Sequence, residues 1–472
     1  MQELKASGQW CPEIDAKERP LYRAIVEAMR RDIASGRLTA GQKLPPQRKL
    51  AHALGVDFTT VTRAYVEARR DSLVIAQVGK GTFVNGLIAT SAPKNGRTVS
   101  DASDFIDMTM NLPPQPMEAR FEARMRAGLV AVQAHDRGLD LLRYQTGAGH
   151  IEDREAGASW LQPRLGDVDP DQIIVAPGTQ SVLTALLSSL AKTGDRVCTE
   201  TLTYPVFRAL CAQLGILAEG LPMDEFGLLP DAFRQACQTH RPKALYCCPT
   251  LHNPTAITMP EARRREIADI AGQFGVPILE DDAYGRLPVS APAPIAAYAP
   301  HLTYLISGLS KCLAPGLRIA YVHTPGRRQA GRLAASLRAT SLMATPLTAA
   351  LVSEWVRNGA AEEILDAIRR DSLQRQHIAG TILAPETFQS NPEAFHGWLT
   401  LPEEWSRSEF TSHMRGAGVA LVGSDAFATD ANPPHAVRLC LGAARTHQDL
   451  ERILWLVRDA LDDLPAMSAV VG

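Results

Sequence analysis

The sequence predicts a multidomain protein in which a small helical domain with a β-hairpin precedes a larger α/β domain. Three observations lead to this prediction. First, 472 residues are too many for a single hydrophobic core. Second, helical periodicity dominates residues 17–85, whereas short apolar strands alternate with helices over residues 105–465. Third, residues 86–104 are rich in Ser, Ala, Gly and Asn and have no period, which is typical of a flexible linker.

Charge is distributed unevenly along the chain. The whole chain has a net charge of −2, but residues 17–84 hold thirteen Lys/Arg against six Asp/Glu. A basic block at one end of a mildly acidic chain indicates a polyanionic partner, although a solvated helix face can be equally basic.

The segment Met1 to Pro20 lacks the pattern of a signal peptide, and no apolar run approaches the roughly 18 residues of a membrane span. The eight cysteines form no Cys-x-x-Cys pair, so a cytoplasmic protein without a metal site is predicted.

The first domain is predicted to contain three helices and a hairpin. Apolar residues at helical spacing run through residues 21–36, and Gly36 ends this first helix. A proline pair in the first turn and a closing glycine mark the second helix within residues 44–55. Hydroxyl residues open the third helix at Thr59, and two apolar segments around a Gly-Lys-Gly turn form a hairpin over residues 73–84. This order of elements makes the winged form of the helix-turn-helix.

The third helix is the candidate for contact with double-stranded DNA. In helix-turn-helix proteins the N-terminal end of this helix enters the major groove, where short polar side chains reach phosphates and base edges. The candidate hydroxyl and cationic residues are Thr59, Thr60, Thr62, Arg48, Arg63 and Lys80. A small helical interaction domain with a hairpin is the alternative interpretation.

Five short motifs support DNA binding. They are Leu44-Pro45, Arg48-Lys49-Leu50-Ala51, Leu54-Gly55-Val56, Thr59-Thr60-Val61 and Gly79-Lys80-Gly81-Thr82-Phe83-Val84. In these motifs the segment resembles the GntR family of winged-helix regulators over nearly its whole length. The resemblance implies DNA binding and adds Lys49, Gly81 and Thr82 to the candidate contacts. Phe58 and Thr62 stand where many members of the family carry DNA-contacting arginines, so the target sequence is not implied.

The second domain is predicted to contain a parallel or mostly parallel sheet. Apolar strands at residues 173–175, 196–198, 244–247, 277–279 and 302–305 are separated by helical segments. Ligands of such sheets gather at the carboxyl ends of the strands. Each chemically suggestive residue of this domain follows one of these strands, which supports a binding site at that edge.

Lys311 is the most informative residue of the chain. Ser310 precedes it, and Arg318 follows seven positions later. In this arrangement an amine can form an imine with an aldehyde while an arginine pairs with a nearby phosphate. Pyridoxal phosphate (PLP) enzymes need this arrangement, so PLP is the predicted cofactor.

Four further sites fit the same cofactor, although each has an ordinary structural explanation when taken alone. Gly178-Thr179-Gln180 opens a helix, so its backbone N–H groups can face an anion. Asp281 can pair with a protonated pyridine nitrogen, or it can belong with Asp282 to a solvated loop. Tyr204 can stack on a planar ring, or it can simply be packed. Asn253 can donate to a phenolic oxygen, or the Asn-Pro pair can be only a turn.

The order of these residues carries more weight than any one of them. Gly178-Thr179-Gln180, Tyr204, Asn253-Pro254, Asp281-x-x-Tyr284, Ser310-Lys311 and Arg318 together resemble the fold-type I PLP enzymes of the aminotransferase class I/II family over residues 105–465. The resemblance implies an α/β fold with a smaller C-terminal α+β subdomain. It also implies a role for each residue: Lys311 as the Schiff-base lysine, Asp281 as the pyridinium partner, Tyr204 as the stacking residue, Asn253 and Tyr284 as donors to the ring oxygen, and Gly178, Thr179, Gln180, Ser310 and Arg318 around the phosphate.

The same resemblance covers residues farther from the lysine. Tyr144 matches a tyrosine that reaches the phosphate bound by the partner subunit, and Arg438 matches the arginine that grips a substrate α-carboxylate. Two departures stand out. Gly308 stands where a serine or threonine usually adds a phosphate contact, and Ala256 replaces the glycine of an Asn-Pro-Thr-Gly motif.

The two halves together resemble the MocR/GabR subfamily of GntR transcription regulators. That resemblance implies a homodimeric, PLP-dependent regulator with little or no turnover, which senses an amino acid, an amine or PLP through an aldimine at Lys311. Two alternatives stay open. One is a working aminotransferase that carries a DNA-binding domain. The other is an enzyme-like domain that uses PLP only as a corepressor or structural ligand.

Overall fold

The computed structural model describes residues 10–12, 21–34, 37–38, 42–70, 73–77, 81–84, 105–134 and 138–462. The chain divides into two compact units, Met1–Ala102 and Ser103–Gly472, and each is described by itself. The predicted linker, residues 86–104, lies outside the described residues, and so do Gly36 and Lys80.

The first unit has the predicted winged helix-turn-helix fold. Its elements are α1 (Leu21–Ala34), α2 (Gln47–Leu54), α3 (Phe58–Arg70), β1 (Val74–Gln77) and β2 (Gly81–Val84). The two strands form an antiparallel hairpin in which Val74 pairs with Val84. Gly55 ends α2 at a φ of +66°, a left-handed conformation that favours glycine. The apolar stripe of α1 is buried through Ile25, Met29 and Ile33 against α2 and α3, as its helical spacing predicts.

The second unit contains most of the strands of the chain. In order they are β3 (Ile106–Asp107), β4 (Ile173–Ala176), β5 (Arg196–Glu200), β6 (Leu217–Leu221), β7 (Met223–Asp224), β8 (Gly227–Leu228), β9 (Leu245–Cys247), β10 (Ile278–Asp281), β11 (Thr303–Gly308), β12 (Ala320–His323), β13 (Phe388–Ser390), β14 (His396–Thr400), β15 (Val419–Ala420), β16 (Val422–Gly423) and β17 (Ala436–Cys440).

A seven-stranded sheet forms the centre of this unit, with the order β4-β12-β11-β10-β9-β5-β6. Only β12 runs antiparallel to its neighbours, so the prediction of a mostly parallel sheet is confirmed. The sequence analysis identified neither β6 nor β12 as a strand. Successive residues of β4 enter different cores: Ile173 and Val175 face one, and Ile174 and Ala176 face the other. This alternation buries both faces of the sheet.

Helices cover both faces of the sheet and form the rest of the unit. They are α4 (Phe121–Ala134), α5 (Ile151–Leu165), α6 (Thr179–Leu190), α7 (Pro205–Leu214), α8 (Pro230–His240), α9 (Glu261–Phe274), α10 (Arg327–Thr340), α11 (Pro346–Arg357), α12 (Ala360–Ile382), α13 (Arg407–Gly416) and α14 (His447–Asp462). Among the described helices, none combines the length and the apolar character that a bilayer crossing requires.

A smaller subdomain follows the large sheet. Its four-stranded sheet has the order β13-β14-β17-β16, and α13 and α14 pack against it around Leu399, Phe410 and Leu454. The first strand of the unit, β3, pairs in parallel with β15 of this subdomain. Residues at the beginning of the second unit therefore belong structurally to the subdomain formed by its end, which agrees with the implied C-terminal α+β subdomain.

Candidate functional site

A cavity of about 360 Å³ lies at the carboxyl edge of the large sheet, beside the small subdomain. It collects residues that are up to 329 positions apart, from Thr109 to Arg438. The predicted site residues that line it are Thr179, Gln180, Tyr204, Asn253, Asp281, Tyr284, Ser310, Lys311, Arg318 and Arg438. Two residues that were predicted for the same cofactor site, Gly178 and Tyr144, do not line this cavity. The arrangement follows from the parallel strands, because their carboxyl ends meet at one edge.

Lys311 reaches the cavity from the turn that follows β11. Its ammonium donates a hydrogen bond to the backbone oxygen of Asn111. Burial lowers the pKa of Lys311 to about 8, because a charged amine is less stable away from water. A larger fraction of this lysine is therefore the neutral, nucleophilic amine near neutral pH than of an exposed lysine.

Asp281 is the last residue of β10 and faces the same cavity. One carboxylate oxygen, Oδ2, accepts a hydrogen bond of 2.9 Å from the hydroxyl of Tyr246. The other, Oδ1, is buried and has no partner among the residues that the structure describes. Burial raises the pKa of Asp281 to about 6. A buried acceptor without a partner is unfavourable, so this oxygen is positioned for a donor that the protein itself does not supply.

Asp282 has a different environment from Asp281, since adjacent residues near a strand end point in opposite directions. Both of its carboxylate oxygens accept hydrogen bonds of 3.1 Å from the guanidinium of Arg164, and both side chains are buried. The interpretation of the two acids as a solvated loop is therefore wrong. The bidentate pair fixes the loop after β10 to α5.

The start of α6 also lines the cavity, through Thr179 and Gln180. Gly178 precedes the helix at a φ of +91°, and a Cβ at this position would lie 2.9 Å from Nη2 of Arg318. Glycine is required here both by conformation and by the close approach of the arginine. Thr179 and Gln180 are the first residues of the helix, and Gln180 Nε2 donates a 3.3 Å hydrogen bond to the hydroxyl of Tyr204. A helix N-terminus beside an arginine is suited to an anion.

Both departures from the family pattern have structural counterparts. A Cβ on Gly308 would overlap the hydroxyl oxygen of Thr179, so the space of the missing serine or threonine is already taken by another hydroxyl. Ala256 adopts a φ of +62°, the left-handed region that glycine enters more easily. The loop after Asn253 therefore keeps the backbone conformation that a glycine would favour.

Arg438 lies on β17 and is 4% exposed. Its Nη1 donates to Oδ1 of Asn253 at 2.8 Å, and its Nη2 donates to the backbone oxygen of Thr109 at 2.6 Å. Its Nε is buried without a partner among the described residues, and no described carboxylate pairs with the guanidinium. Burial lowers the pKa of Arg438. A buried cation of this kind is suited to an anionic ligand.

Three residues that make hydrogen bonds to the predicted site residues were not themselves predicted from the sequence. Tyr246 holds Asp281, Asn111 Nδ2 donates a 2.9 Å hydrogen bond to the hydroxyl of Tyr284, and Thr109 supplies the oxygen bound by Arg438. Tyr246 lies within a strand that the apolar pattern predicted, but nothing in that pattern indicates that its hydroxyl binds Asp281. Thr109 and Asn111 act partly through backbone oxygens, which no residue pattern reveals.

Tyr144 lies apart from this cavity and is 82% exposed. It borders a separate hollow together with Leu141, Leu142, Arg143 and Met343. The role that the resemblance implies for Tyr144 stays a prediction.

The candidate DNA interface lies on the first unit. Arg48, Lys49 and Arg63 are exposed, and the guanidinium of Arg63 lies 4.2 Å from the centre of the Tyr22 ring. Thr59 donates to Asp57 Oδ1 through its backbone N–H at 2.7 Å and also through its hydroxyl, and Thr62 donates through its hydroxyl to Gln47 Oε1 at 3.0 Å. The hydroxyls thus also stabilise the start of α3 and its packing on α2. Lys80 lies outside the described residues, and DNA contact by every residue of this candidate interface, including Thr60, Gly81 and Thr82, stays a prediction.

These two units define a class of protein: a winged helix-turn-helix domain joined to an aminotransferase-like domain whose cavity contains a buried amine, a buried carboxylate and the N-terminus of a helix. A model of the aminotransferase class I and II family matches residues 103–455, and a model of bacterial regulatory proteins of the gntR family matches residues 21–84. The chain belongs to the aminotransferase class I and II family, and it carries a GntR domain in front of it.

Known transcription regulators match this chain along most of their length. The chain is 29% identical over 458 residues to the HTH-type transcriptional regulator YdeF of Bacillus subtilis (strain 168), covering 96% of this chain and 97% of that protein. It is 27% identical over 367 residues to the pyridoxine biosynthesis transcriptional regulator PdxR of Corynebacterium glutamicum, covering 75% and 77%. The two family models, together with these relatives named as transcription regulators, confirm the resemblance to the MocR/GabR subfamily.

A solved structure shows the fold of the second unit. The α-aminoadipate aminotransferase LysN from Thermus thermophilus superposes with a TM-score of 0.69, covering 78% of this chain and 94% of that chain. The sequence identity is 20%, so the similarity shows the fold alone. The expected fold-type I aminotransferase architecture is confirmed.

Proposed function

We propose that this chain is a DNA-binding transcription regulator that holds PLP at Lys311 and responds to a small amine or amino acid. The observation that carries the proposal is the presence, in one chain, of a GntR winged helix and a cavity lined both by Lys311 and by Asp281, which has an unsatisfied carboxylate oxygen. The relative named for the regulation of pyridoxine biosynthesis supports a link to PLP.

The donors and acceptors of the cavity fit PLP. Oδ1 of Asp281 lacks a partner among the described residues, and a protonated pyridine nitrogen would supply its donor. The N-terminus of α6, with Arg318 beside it, would hold the phosphate, together with Thr179 and Ser310. When bound, PLP supplies an aldehyde that condenses reversibly with primary amines, so an amine can compete with Lys311 for it.

The Gly308–Thr179 contact gives a test of the phosphate end. Gly308→Ser restores the usual residue of the family, yet it is expected to weaken PLP binding by roughly 5-fold to 30-fold, because the new side chain displaces the hydroxyl of Thr179. Absorbance titration of the cofactor-free protein with PLP measures the affinity. The double variant Gly308→Ser/Thr179→Gly makes room for the serine and should recover most of the affinity. Tighter binding by the single variant would show that the two hydroxyls do not exclude each other.

A homodimer is part of the proposal. The aminotransferase resemblance implies a site shared between two subunits, and the exposed Tyr144 and Leu142 support a covered surface there. Two winged helices in one dimer would bind two half-sites, so their spacing on DNA becomes a property that a ligand can change. Because the proposed partner is DNA, we expect the regulator in the cytoplasm.

The exposed cations of α2 predict the electrostatic part of DNA binding. Arg48→Ala/Lys49→Ala is expected to weaken binding to a fragment that contains the promoter of the protein's own gene by about tenfold or more. The slope of log affinity against log salt should fall by about 1.8, since each lost phosphate contact contributes about 0.9. Fluorescence anisotropy at several salt concentrations measures both quantities. Arg31→Ala, which removes an exposed cation of α1, is the matched control. An unchanged salt slope would remove α2 from the interface.

A working aminotransferase with a DNA-binding domain is the second candidate, since Lys311, Asp281 and Arg438 are all in the cavity. Turnover assays with amino acids and keto acids distinguish the two functions. The sensor proposal predicts that these ligands change DNA affinity at concentrations where multiple turnover stays far below the usual enzyme range of about 1–10³ s⁻¹. Sustained turnover in that range, with DNA affinity independent of the ligands, would establish the enzyme instead. Ligand-independent DNA binding that still requires PLP would favour a corepressor or structural cofactor.

A further inference from the structure

The exposed side of α3, the helix that a helix-turn-helix protein places in the major groove, is largely apolar at its start. Phe58 is 42% exposed, and Thr62 and Val66 follow it at intervals of four residues, so the three side chains lie along one side of the helix. The opposite side packs into the core of the domain. Arg63 is the one cation among residues 58–66. Attraction to phosphates explains the arginine but not the exposed ring.

Phe58 is held at the first position of α3. The carboxylate of Asp57 accepts from the backbone N–H of Thr59 at 2.7 Å, and the backbone oxygen of Asp57 accepts from the N–H of Thr60 at 3.0 Å. The guanidinium of Arg48, on α2, lies 5.7 Å from the centre of the Phe58 ring, a distance at which a cation and a ring attract each other. Backbone and side chain are thus both oriented at the end of the helix that reaches base edges.

The two nearest hydroxyls on this side of α3 are poor candidates for reading acceptors on a base. A threonine hydroxyl has a single proton to donate. Thr59 donates that proton to the carboxylate of Asp57. The proton of Thr62 is directed either at Oε1 of Gln47 or at the backbone oxygen of Phe58, each 3.0 Å away. Both hydroxyls can still accept from a base, but recognition of base acceptors falls to other residues, and the ring of Phe58 is left to read an apolar feature.

We infer that Phe58 reads the 5-methyl group of a thymine in the major groove. Among the four bases only thymine presents a methyl group there. The exposed ring can bury that methyl group, which removes apolar surface of both partners from water. The neighbouring cations Arg48 and Lys49 supply an attraction to phosphates that is the same for every sequence, so the ring adds a preference for one base. This inference rests on the proposed function and deepens it, since it names a feature of the target DNA.

Deoxyuridine, which lacks the methyl group of thymidine, tests this contact directly. The promoter fragment of the protein's own gene is copied once with thymidine triphosphate and once with deoxyuridine triphosphate, and fluorescence anisotropy measures the affinity of the full chain for each copy. The unsubstituted chain should bind the uracil copy about fourfold more weakly for each methyl group that it buries. Phe58→Ala should bind the two copies within about twofold of each other, a margin left for altered DNA shape. Enzymatic copies contain no 5-methylcytosine, so thymine is their one source of this group.

Matched variants control the experiment. Phe226 is also an exposed phenylalanine beside an arginine, with the guanidinium of Arg263 at 5.6 Å, but it belongs to the second unit, so Phe226→Ala should leave the ratio of the two affinities unchanged. Two further variants keep the test decisive if alanine weakens the domain. Phe58→Leu retains an apolar side chain and should keep a ratio above about twofold, whereas the polar side chain of Phe58→Gln should lose it. Equal ratios for leucine and glutamine would contradict an apolar contact.

Single uracil substitutions in a synthetic fragment locate the contact. We expect the loss of affinity at one or two neighbouring thymines of each half-site, and the same substitutions should have no effect on Phe58→Ala. A loss that is spread evenly over the fragment and is equal in both chains would come from altered DNA shape and would overturn the inference.

The outcomes separate this inference from the proposed function. If the chain binds the thymine and uracil copies equally well, DNA binding stands and Phe58 does not read a methyl group. If Phe58→Ala loses the same factor of affinity for both copies, the ring only supports Arg48 or the domain, and the inference fails. If the chain binds neither copy, the proposed function fails, and the inference fails with it.

Discussion

Replacing Lys311 by alanine is expected to abolish the visible absorbance change that PLP undergoes on binding, and with it the response of DNA binding to amines. Lys311 is the only lysine among the described residues that line the cavity, so no neighbouring primary amine there can take its place. Its lowered pKa, about 8, makes it a stronger competitor for the aldehyde near neutral pH than an exposed lysine. Absorbance spectra and anisotropy titrations of the same sample measure both losses.

Two variants control this experiment. Lys311→Arg keeps a cation but has no primary amine, so it should behave like the alanine variant. Lys192→Ala removes an exposed lysine and should leave both responses intact. DNA binding without ligand should persist in all three variants, because the winged helix does not contain Lys311. An amine response that survives the loss of absorbance would mean that the effector acts elsewhere in the chain.

The sequence predicted the elements of the cavity because its main residues follow apolar strands of a parallel sheet. Asp281 ends β10 and Lys311 follows β11, so the positions of the strands bring the two residues to one edge. Local chemistry also predicted the turn at Gly178 that opens a helix. For these residues, the order of a few neighbouring residues in the sequence is enough to predict where the side chain lies.

Contacts between distant segments could not be predicted in this way. The pairing of Asp282 with Arg164 joins residues 118 positions apart, and no local pattern indicates it. Gly308 looked like a missing phosphate contact because its neighbour in space, Thr179, is not its neighbour in sequence. The contacts of Asn111 with Lys311 and of Thr109 with Arg438 could not be predicted for a further reason, since they use backbone oxygens, which every residue possesses.

Arg438→Lys is expected to weaken the binding of α-amino acids by roughly 100-fold, or about 3 kcal/mol, because lysine lacks the two-point fork that a carboxylate needs. The guanidinium is buried and has no carboxylate partner among the described residues. A ligand carboxylate would therefore supply the missing opposite charge in a site where such a pair is strong. Titration of the PLP-loaded protein with L-alanine, followed by absorbance, measures the loss.

The same titration with ethylamine distinguishes recognition of the carboxylate from general damage to the cavity. Arg438 also holds Asn253 and the backbone of Thr109, so its replacement can disturb the cavity without any role in ligand binding. Damage of that kind would weaken both ligands equally, whereas loss of the fork weakens only L-alanine and leaves ethylamine within about threefold of its original affinity. Arg452→Lys, at an exposed arginine of α14, should change neither affinity. An equal loss for the two ligands would make Arg438 a positioning residue for the loop of Asn253, and an effector without a carboxylate would then fit the cavity better.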